Sequence, residues 1–376
     1  MNSIPALPNL GGADAAPNLS ISPMASPLRG VNLGGFLILE PYLKPALFAA
    51  ACDRADGAAC PIDEHSLCET LGSIRARAVM HEHWDTWVSF DELRELRDAG
   101  INALRIPVGY WIVAPRPGEP YVEGGLQYLI RVCKWAQALG MRVVVELHGA
   151  PGRQNNMDHS GWKDHMGWQV SPCADVPSDA YEHSVETLEV LRRLIEVLEE
   201  HALIRACSDS AAGHSERIPL DASVTPCGTV VGIGLLNEPI SFDKERPVDH
   251  AALVGLYAEA LQRLVPRHVY AFIDMFEGFG WLIDEGVADG RERFAFDKHR
   301  CRQANRTGGK AHTRLTHGSH MAHTRLTQGS HTAHTWLTHG SLDDENCRRP
   351  RQAVRMGRSM LGIPTTPPPS QVRGVL

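Results

Sequence analysis

The sequence Val-Val-Gly-Ile-Gly-Leu-Leu-Asn-Glu-Pro, residues 230–239, joins an apolar run to a polar turn. Such a short apolar run, bounded by polar segments, is typical of a strand that is buried on both faces of a parallel sheet. Asn237, Glu238 and Pro239 follow the end of this predicted strand. Because α/β barrels place their reactive side chains at the carboxyl ends of strands, Glu238 is the first candidate for a catalytic group.

Similar apolar runs recur along the chain and alternate with stretches of helical periodicity. The predicted strands are Val31–Leu39, Ala103–Val108, Arg142–Leu147, Val230–Leu236, Val269–Met275 and Arg293–Phe296. The predicted helices are Phe90–Ala99, Leu126–Leu139, Tyr181–His201 and His250–Leu264. This alternation predicts an α/β fold in which helices cover a parallel sheet. With 376 residues, 43% of them hydrophobic, the chain can form one large barrel or two smaller domains.

Composition divides the chain into three segments. Residues 1–28 are rich in Pro, Ala, Ser and Asn and are predicted to be disordered, while residues 29–300 carry the α/β pattern. Residues 301–376 contain three copies of an 11-residue unit, Ala311–Met321, Ala322–Thr332 and Ala333–Asp343, followed by an Arg-rich and Pro-rich end. A period of 11 can indicate a right-handed helical supercoil, but these copies hold too few large aliphatic residues to bury a seam. We therefore predict a low-complexity, disordered tail.

The net charge of −7 is unevenly spread, because the chain is acidic up to residue 297 and basic beyond it. The basic His/Arg tail could serve as an interaction arm for acidic partners. It lacks interleaved aromatic residues, so we do not expect a nucleic-acid partner. His-rich tracts can bind transition metals in vitro, but no cofactor and no structural metal site is predicted.

The cysteines and the apolar segments give information about the cellular location of the protein. The chain has 9 cysteines and no Cys-x-x-Cys pair. Cys52, Cys60 and Cys68 lie close together and could contribute a disulfide in an exported chain, whereas unpaired thiols in a cytosolic chain are the simpler interpretation. No run of about 18 apolar residues is present, so no membrane span is predicted. The N-terminal segment shows no secretory signal, which leaves the localisation open.

Four short motifs lie at predicted strand ends. They contain Arg105, His148, the pair Asn237 and Glu238, and His299. A lone arginine or histidine after a strand usually has a structural role, but four such motifs in order indicate one site at the same edge of the sheet.

The residue types in these motifs suit glycosidic-bond chemistry. Glu238 would protonate the leaving oxygen and later activate water, and Asn237 could hold a sugar 2-hydroxyl. Arg105 would orient a neighbouring carboxylate and lower its pKa. His148 and His299 could bind sugar hydroxyls or the acid, while Glu146 is expected to make a polar contact inside the barrel.

Longer matches show that the chain resembles glycoside hydrolase family 5, and within it the fungal-type exo-β-1,3-glucanases. The matching stretches are residues 29–36, 40–42, 105–111, 147–152, 154–155, 160–161 and 236–239. The resemblance implies a (β/α)₈ barrel and a retaining mechanism with two glutamates, of which Glu238 is the acid/base. It assigns Arg105, His148, Asn237 and His299 to the family's site.

The same resemblance implies where and how substrate is bound. Glu40, Tyr42 and Asn155 would help to hold the terminal glucose, and Phe36 replaces the family's tryptophan as an aromatic surface. The implied partner is a β-glucan polysaccharide or oligosaccharide, bound by a monomer. The family further implies export and cell-wall glucan.

The resemblance ends near residue 300. Cys301 stands where the family has a tyrosine that orients the nucleophile, and the only glutamate after Glu292 is Glu345, in a segment without a strand pattern. We therefore predict an incomplete barrel of about six strand–helix units whose C-terminal third is missing or replaced. The chain could be a β-1,3-glucan hydrolase or a glucan-binding remnant that lacks the nucleophile.

Overall fold

The computed structural model describes residues 28–53, 59–171, 178–206, 228–274, 285, 287 and 294–297, and the backbone of residues 334–336. The chain divides into two units, residues 1–338 and 339–376, and all described residues lie in the first. The predicted disordered segment at residues 1–28 lies almost wholly outside the described part.

A seven-stranded sheet forms the centre of the described unit. Its strands are β1 (Gly30–Asn32), β2 (Ala103–Gly109), β3 (Arg142–Gly149), β4 (Val230–Gly234), β5 (Tyr270–Asp274), β6 (Phe294–Asp297) and β7 (His334–Trp336). The order is β6-β5-β4-β3-β2-β1-β7, with β1 to β6 parallel and β7 antiparallel to β1. All residues of β2, β3 and β4 are buried, as expected for parallel strands covered on both faces.

Helices follow the parallel strands and pack against them. They are α1 (Pro45–Cys52), α2 (Glu64–Leu71), α3 (Ser73–Thr86), α4 (Phe90–Asp98), α5 (Gly125–Ala138), α6 (Ala180–Glu200) and α7 (His250–Glu259), with short 3₁₀ turns at Tyr110–Ile112 and Asp158–Ser160 and a π turn at Ala260–Leu264. One hydrophobic core joins the sheet to these helices. The predicted α/β class is confirmed, and the six parallel strands agree with an incomplete barrel.

The four helices predicted from sequence are all present, with ends that differ by a residue or two apart from the last. The helix predicted over His250–Leu264 is α-helical to Glu259 and then closes with the π turn. Helix α4 begins with a capping box: Ser89 accepts from the Glu92 backbone N–H, and the Glu92 side chain accepts from the Ser89 N–H.

Two parts of the fold differ from the sequence prediction. The strand predicted over Val31–Leu39 is regular only to Asn32, because Gly35 turns the chain with a φ of +67° and a Cβ there would lie 3.1 Å from Leu43. The second difference is that helices α1 to α3 were not predicted. In α1 and α3 the apolar and polar residues are not clearly separated onto two faces of the helix, so helical periodicity did not distinguish these segments from loops.

The tail predicted to be disordered, residues 301–376, lies outside the described residues except for β7. This short strand belongs to the third repeat and pairs antiparallel with the edge of β1. An unpaired strand edge offers a row of backbone donors and acceptors, which an extended segment of almost any sequence can satisfy. The predicted domain boundary at residue 300 stays a prediction.

A disulfide joins Cys52, at the end of α1, to Cys60, eight residues further along the chain. The simpler interpretation of unpaired thiols is therefore wrong for this pair. Cys68 and Cys133 are buried free thiols in the described part of the chain, and burial raises the pKa of each. Cys52, Cys60 and Cys68 were candidates for a disulfide because they lie close together in the sequence. In the structure, Cys52 and Cys60 form the disulfide.

We expect loss of this disulfide to lower the free energy of unfolding by roughly 2–3 kcal/mol, because a short loop in the unfolded chain is no longer closed. Denaturant unfolding of C52S, C60S and the double variant measures this. The single variants should cost as much as the double variant, since either one abolishes the bond. Single variants as stable as the oxidised wild-type protein would contradict the pairing.

Candidate active site

The carboxyl edge of the sheet is organised by one buried arginine. Arg105, in β2, donates from Nη1 to Asn32 Oδ1 at 3.1 Å, and from Nη2 to Glu146 Oε1 at 2.7 Å and to Asn237 Oδ1 at 2.9 Å. Its Nε also lies 3.6 Å from Oδ2 of Asp297. The guanidinium thus contacts side chains from β1, β3, β6 and the segment after β4.

Charge balance explains why this arginine can be buried. Burial alone would lower the pKa of Arg105, but the carboxylates of Glu146, Asp297, Asp274 and Glu238 outweigh burial and raise it. Glu146 makes the polar contact predicted for it, and its second oxygen, Oε2, lies 2.9 Å from His148 Nδ1. The described carboxylate nearest to Arg105 is therefore Glu146.

Asn237 Nδ2 and His148 Nε2 are among the buried nitrogen atoms at this edge that have no hydrogen-bond partner among the described residues. Because Asn237 Oδ1 accepts from Arg105, its Nδ2 keeps two hydrogens for another acceptor. Because a carboxylate only accepts, His148 Nδ1 donates to Glu146, and in the neutral ring Nε2 is then an acceptor. The pair therefore offers one donor group and one acceptor to a polar ligand.

Glu238 follows β4 and is held by its backbone. Its N–H donates to Asp274 Oδ2 at 2.7 Å, and its carbonyl oxygen accepts from Asn155 Nδ2 at 3.0 Å. Its φ of +44° lies in the left-handed region, which costs a non-glycine residue of order 1 kcal/mol or more. Gln154 fixes the preceding peptide, because its Nε2 donates to Asn237 O at 2.7 Å and to His148 O at 2.6 Å.

The side chain of Glu238 faces a histidine that the sequence did not suggest. His159 Nε2 lies 3.3 Å from Glu238 Oε2, and both side chains are largely buried. Burial alone would lower the pKa of His159, but the hydrogen bond and charge of Glu238, aided by Glu40 and Asp158, raise it.

Glu40 and Tyr42 lie near Glu238 and His159. Glu40 is fully buried, accepts from the Gly35 N–H at 3.2 Å, and accepts a short hydrogen bond from the Tyr42 hydroxyl. Burial and the charges of Glu40, Asp158 and Glu238 raise the pKa of Tyr42, so its hydroxyl keeps its proton. Tyr42 is 45% exposed, and the pair therefore presents a hydroxyl-bearing ring at the surface beside Glu238.

Two predicted site residues are placed differently from the expectation, and a third is not described. Phe36 is fully buried in the hydrophobic core, so its ring offers no surface on which a sugar could stack. Asn155 is also fully buried; its Oδ1 accepts from Met157 N–H and its Nδ2 donates to Glu238, which gives it a supporting position. His299 lies outside the described residues. The structure brings together Arg105, His148, Asn237, Glu238, Glu40 and Tyr42.

Two further residues that contact Glu238, Asp274 and His159, were not predicted from the sequence. Asp274 ends β5, so the rule that polar residues at strand ends form the site could have found it. His159 lies in a loop whose neighbours Gln154, Asn155 and Ser160 already carried the family resemblance. No local signal shows that this loop folds back onto Glu238.

Within the described ranges, no group of three or more His, Cys, Asp or Glu side chains is arranged to hold a metal ion. The helices of that same part of the chain are all too short or too polar to cross a membrane.

The fold and this edge define an α/β protein whose parallel sheet carries a buried polar cluster at its carboxyl edge. Among solved structures, the rutinosidase from Aspergillus niger matches with a TM-score of 0.58 and 19% identity, over 75% of this chain and 72% of that one. The structure titled AoRut matches with a TM-score of 0.56 and 20% identity, over 74% of this chain and 69% of that one. At this level of identity the likeness establishes the fold.

Sequence relatives are more specific. "Probable glucan 1,3-beta-glucosidase A" of Aspergillus fumigatus is 44% identical over 154 residues, 41% of this chain and 36% of that protein. The Emericella nidulans protein of the same name is 44% identical over 163 residues, 43% and 39% of the two chains. "Glucan 1,3-beta-glucosidase" of Pichia angusta is 41% identical over 142 residues, 38% of this chain and 32% of that protein.

The match thus spans well under half the length of these curated relatives. Comparison with protein-family models gave no match. The resemblance drawn from the sequence motifs is confirmed: over this shared segment the chain is similar to glucan 1,3-β-glucosidases.

A second buried glutamate supports the loop that carries Glu40. Glu64, the first residue of α2, accepts from the Leu39 N–H at 2.7 Å and from Trp111 Nε1 at 2.8 Å. Burial raises the pKa of Glu64 to about 7, although both hydrogen bonds oppose this rise. The folded protein therefore binds this proton more tightly than the unfolded chain, in which a glutamate has a pKa of about 4.3.

Stability from Glu64 is consequently full below pH about 4 and falls as the pH rises toward 7. Glutamine does not titrate, so E64Q lacks this pH-dependent loss of stability. Between pH 4 and pH 8 the free energy of unfolding of the wild-type protein should therefore fall by roughly 3 kcal/mol more than that of E64Q. Denaturant unfolding at several pH values measures the difference. E95Q, which changes an exposed glutamate of α4, is the control, and equal slopes for wild type and E64Q would contradict the prediction.

Proposed function

We propose that the chain hydrolyses O-glycosidic bonds in β-1,3-glucan and releases glucose, with Glu238 as acid/base. The observation that carries this proposal is the fixed position of Glu238, whose backbone is held by Asp274 and Asn155 at the carboxyl edge of the sheet. The names of the sequence relatives support a β-1,3-glucan substrate.

In the first step, Glu238 gives its proton to the glycosidic oxygen as the bond to the anomeric carbon breaks. Asn237 Nδ2 has hydrogens available for a sugar 2-hydroxyl, a contact that strengthens as positive charge develops on the ring. His148 Nε2 is available to accept from a second hydroxyl. Glu40 and Tyr42 border the same group and would contact the terminal glucose, which the protein binds as a monomer without a cofactor.

A retaining mechanism needs a second carboxylate about 5–5.5 Å from the first. The described carboxylates at strand ends are engaged with the protein: Glu146 with Arg105 and His148, Asp274 with the Glu238 N–H, and Asp297 with Arg105. This engagement favours a second candidate function, in which the chain binds glucan through the same residues and does not turn it over.

We expect E238Q to lower glucose release from laminarin by at least about 100-fold, because the amide cannot supply the proton. Binding of laminarin should stay within a few-fold of wild type, since the amide keeps the size and hydrogen-bonding capacity of the side chain. Glucose release and calorimetric binding are measured on the same preparations. E245Q, an exposed glutamate in the loop after Ile240, should behave as wild type.

The two candidate functions give different results in this assay. Glucose release that is lost in E238Q and kept in E245Q supports the hydrolase. Binding without release, in wild type and both variants, supports the glucan-binding protein. Release that continues unchanged in E238Q overturns the assignment of the acid/base.

A further inference from the structure

His159 and Glu238 form a buried pair at the centre of the candidate site. Nε2 of His159 lies 3.3 Å from Oε2 of Glu238, and the side chains are 8% and 12% exposed. Nδ1 of His159 is buried and has no hydrogen-bond partner among the described residues. The imidazole therefore has one described polar contact, and that contact is the proposed acid/base carboxyl.

The loop that carries His159 is linked to the backbone of Glu238 by hydrogen bonds. Asn155 accepts from Met157 N–H at the start of the loop and donates to the carbonyl oxygen of Glu238. Ser160 Oγ donates to Asn155 O at 3.2 Å and to Met157 O at 2.8 Å. One asparagine thus sets the separation between the two halves of the pair.

Helix α2 holds the other end of this loop. The His65 N–H donates to Gly161 O at 3.0 Å, and the Lys163 N–H donates to Asp63 Oδ2 at 2.8 Å. Gly161 has a φ of +97°, and a Cβ at that position would lie 2.3 Å from the Trp111 ring. The 3₁₀ turn Asp158–Ser160 is therefore anchored on both sides, so the approach of His159 to Glu238 is built into the fold.

The titratable and charged groups around His159 favour its protonated form. Glu238 faces it from the segment after β4, Glu40 from the loop after β1, and Asp158 from its own turn. The ring of His148, at the end of β3, lies with its centroid 5.0 Å away. Three carboxylates and the imidazole of His148 therefore lie around the ring. The three carboxylates account for the raised pKa of His159.

We propose that His159 is a positioning residue for the acid/base: it holds the Glu238 carboxyl in place and shares one proton with it. This proposal rests on the proposed function for the role of Glu238, but the pairing itself does not require turnover. The shared proton resides on His159 Nε2 as an imidazolium beside a carboxylate, or on Glu238 Oε2 beside a neutral imidazole. Both arrangements hold the same number of protons and the same net charge.

The proton balance of hydrolysis follows from this sharing. Glu238 passes the shared proton to the glycosidic oxygen as that carbon–oxygen bond breaks, which leaves a carboxylate, a neutral imidazole and an oxocarbenium-type positive charge on the sugar ring. In the second step a water oxygen bonds to the anomeric carbon and neutralises this charge while the water gives up a proton to Glu238, and the pair returns to its starting state. The two groups titrate together, so the pH profile of turnover belongs to the pair.

The first test follows His159 directly and does not depend on activity. In the full chain with ¹⁵N-labelled histidine, the imidazole signals are titrated by NMR, and the signal absent from H159N identifies His159. We expect its midpoint to fall by about one pH unit or more in E238Q, because a neighbouring negative charge is removed. H201N assigns a control histidine at the end of α6, whose midpoint should not move in E238Q.

The second test uses the pH dependence of glucose release from laminarin in wild type and H159N. Asparagine can still donate to Glu238 but carries no charge. With a neutral asparagine in place of His159, only Glu238 can hold the shared proton, so the alkaline limb should move to lower pH by about half a unit to one unit. A residue that only supports the loop would lower the rate at every pH and leave the limb in place.

The outcomes separate the two proposals. A His159 midpoint that is the same in wild type and E238Q overturns the proton-sharing pair, whether or not the protein turns over glucan. A coupled midpoint without any glucose release leaves the pair standing and overturns the hydrolase. If H159N does not fold, as judged by its unfolding midpoint, H159Q takes its place for both the NMR assignment and the pH profile.

Discussion

One guanidinium ties the functional edge of this protein together. Arg105 contacts Asn32, Glu146, Asn237 and Asp297, which come from four other parts of the sheet. Removing such an ion from water costs several kcal/mol, and only several partners in good geometry repay it. The strands therefore have to meet in one register for the charge to be tolerated, and the same register places Asn237 and Glu238. Folding and site assembly thus depend on the same contact.

The strain at Glu238 follows from this arrangement. Its left-handed backbone is unfavourable for a residue with a side chain, so the surroundings have to hold it. Asp274 secures its N–H and Asn155 its carbonyl oxygen, and Gln154 secures the preceding peptide. This turn aims the carboxyl at His159, while the side chain of Asn237 points back to Arg105. The two adjacent residues therefore make two different contacts.

The strands and their polar ends could be predicted because both depend on local sequence. Apolar runs can be recognised directly in the sequence. Arg105 lies within such a run, and His148, Asn237 and Glu238 follow the ends of two others. The contact between His159 and Glu238 could not be predicted from the sequence. It requires a loop that is held by hydrogen bonds to Glu238 and to α2, and both are far from this loop in the sequence. The same limit explains Phe36. A sequence match places it beside a sugar, but only packing shows that its ring is enclosed by the core.

The proposed acid/base is held by contacts among residues that the structure describes. Arg105 joins Glu146 to Asn237, Glu146 holds His148, and Glu238 is contacted by Asp274 at its N–H and by His159 at its carboxyl group. Preorganised charge of this kind is held by its own hydrogen bonds and costs no rearrangement when substrate arrives. In the proposed hydrolase, proton transfer at Glu238 is therefore separable from the step that needs a second carboxylate. We expect a chain with these contacts alone to keep the titration behaviour proposed for His159 and Glu238 even where turnover is lost.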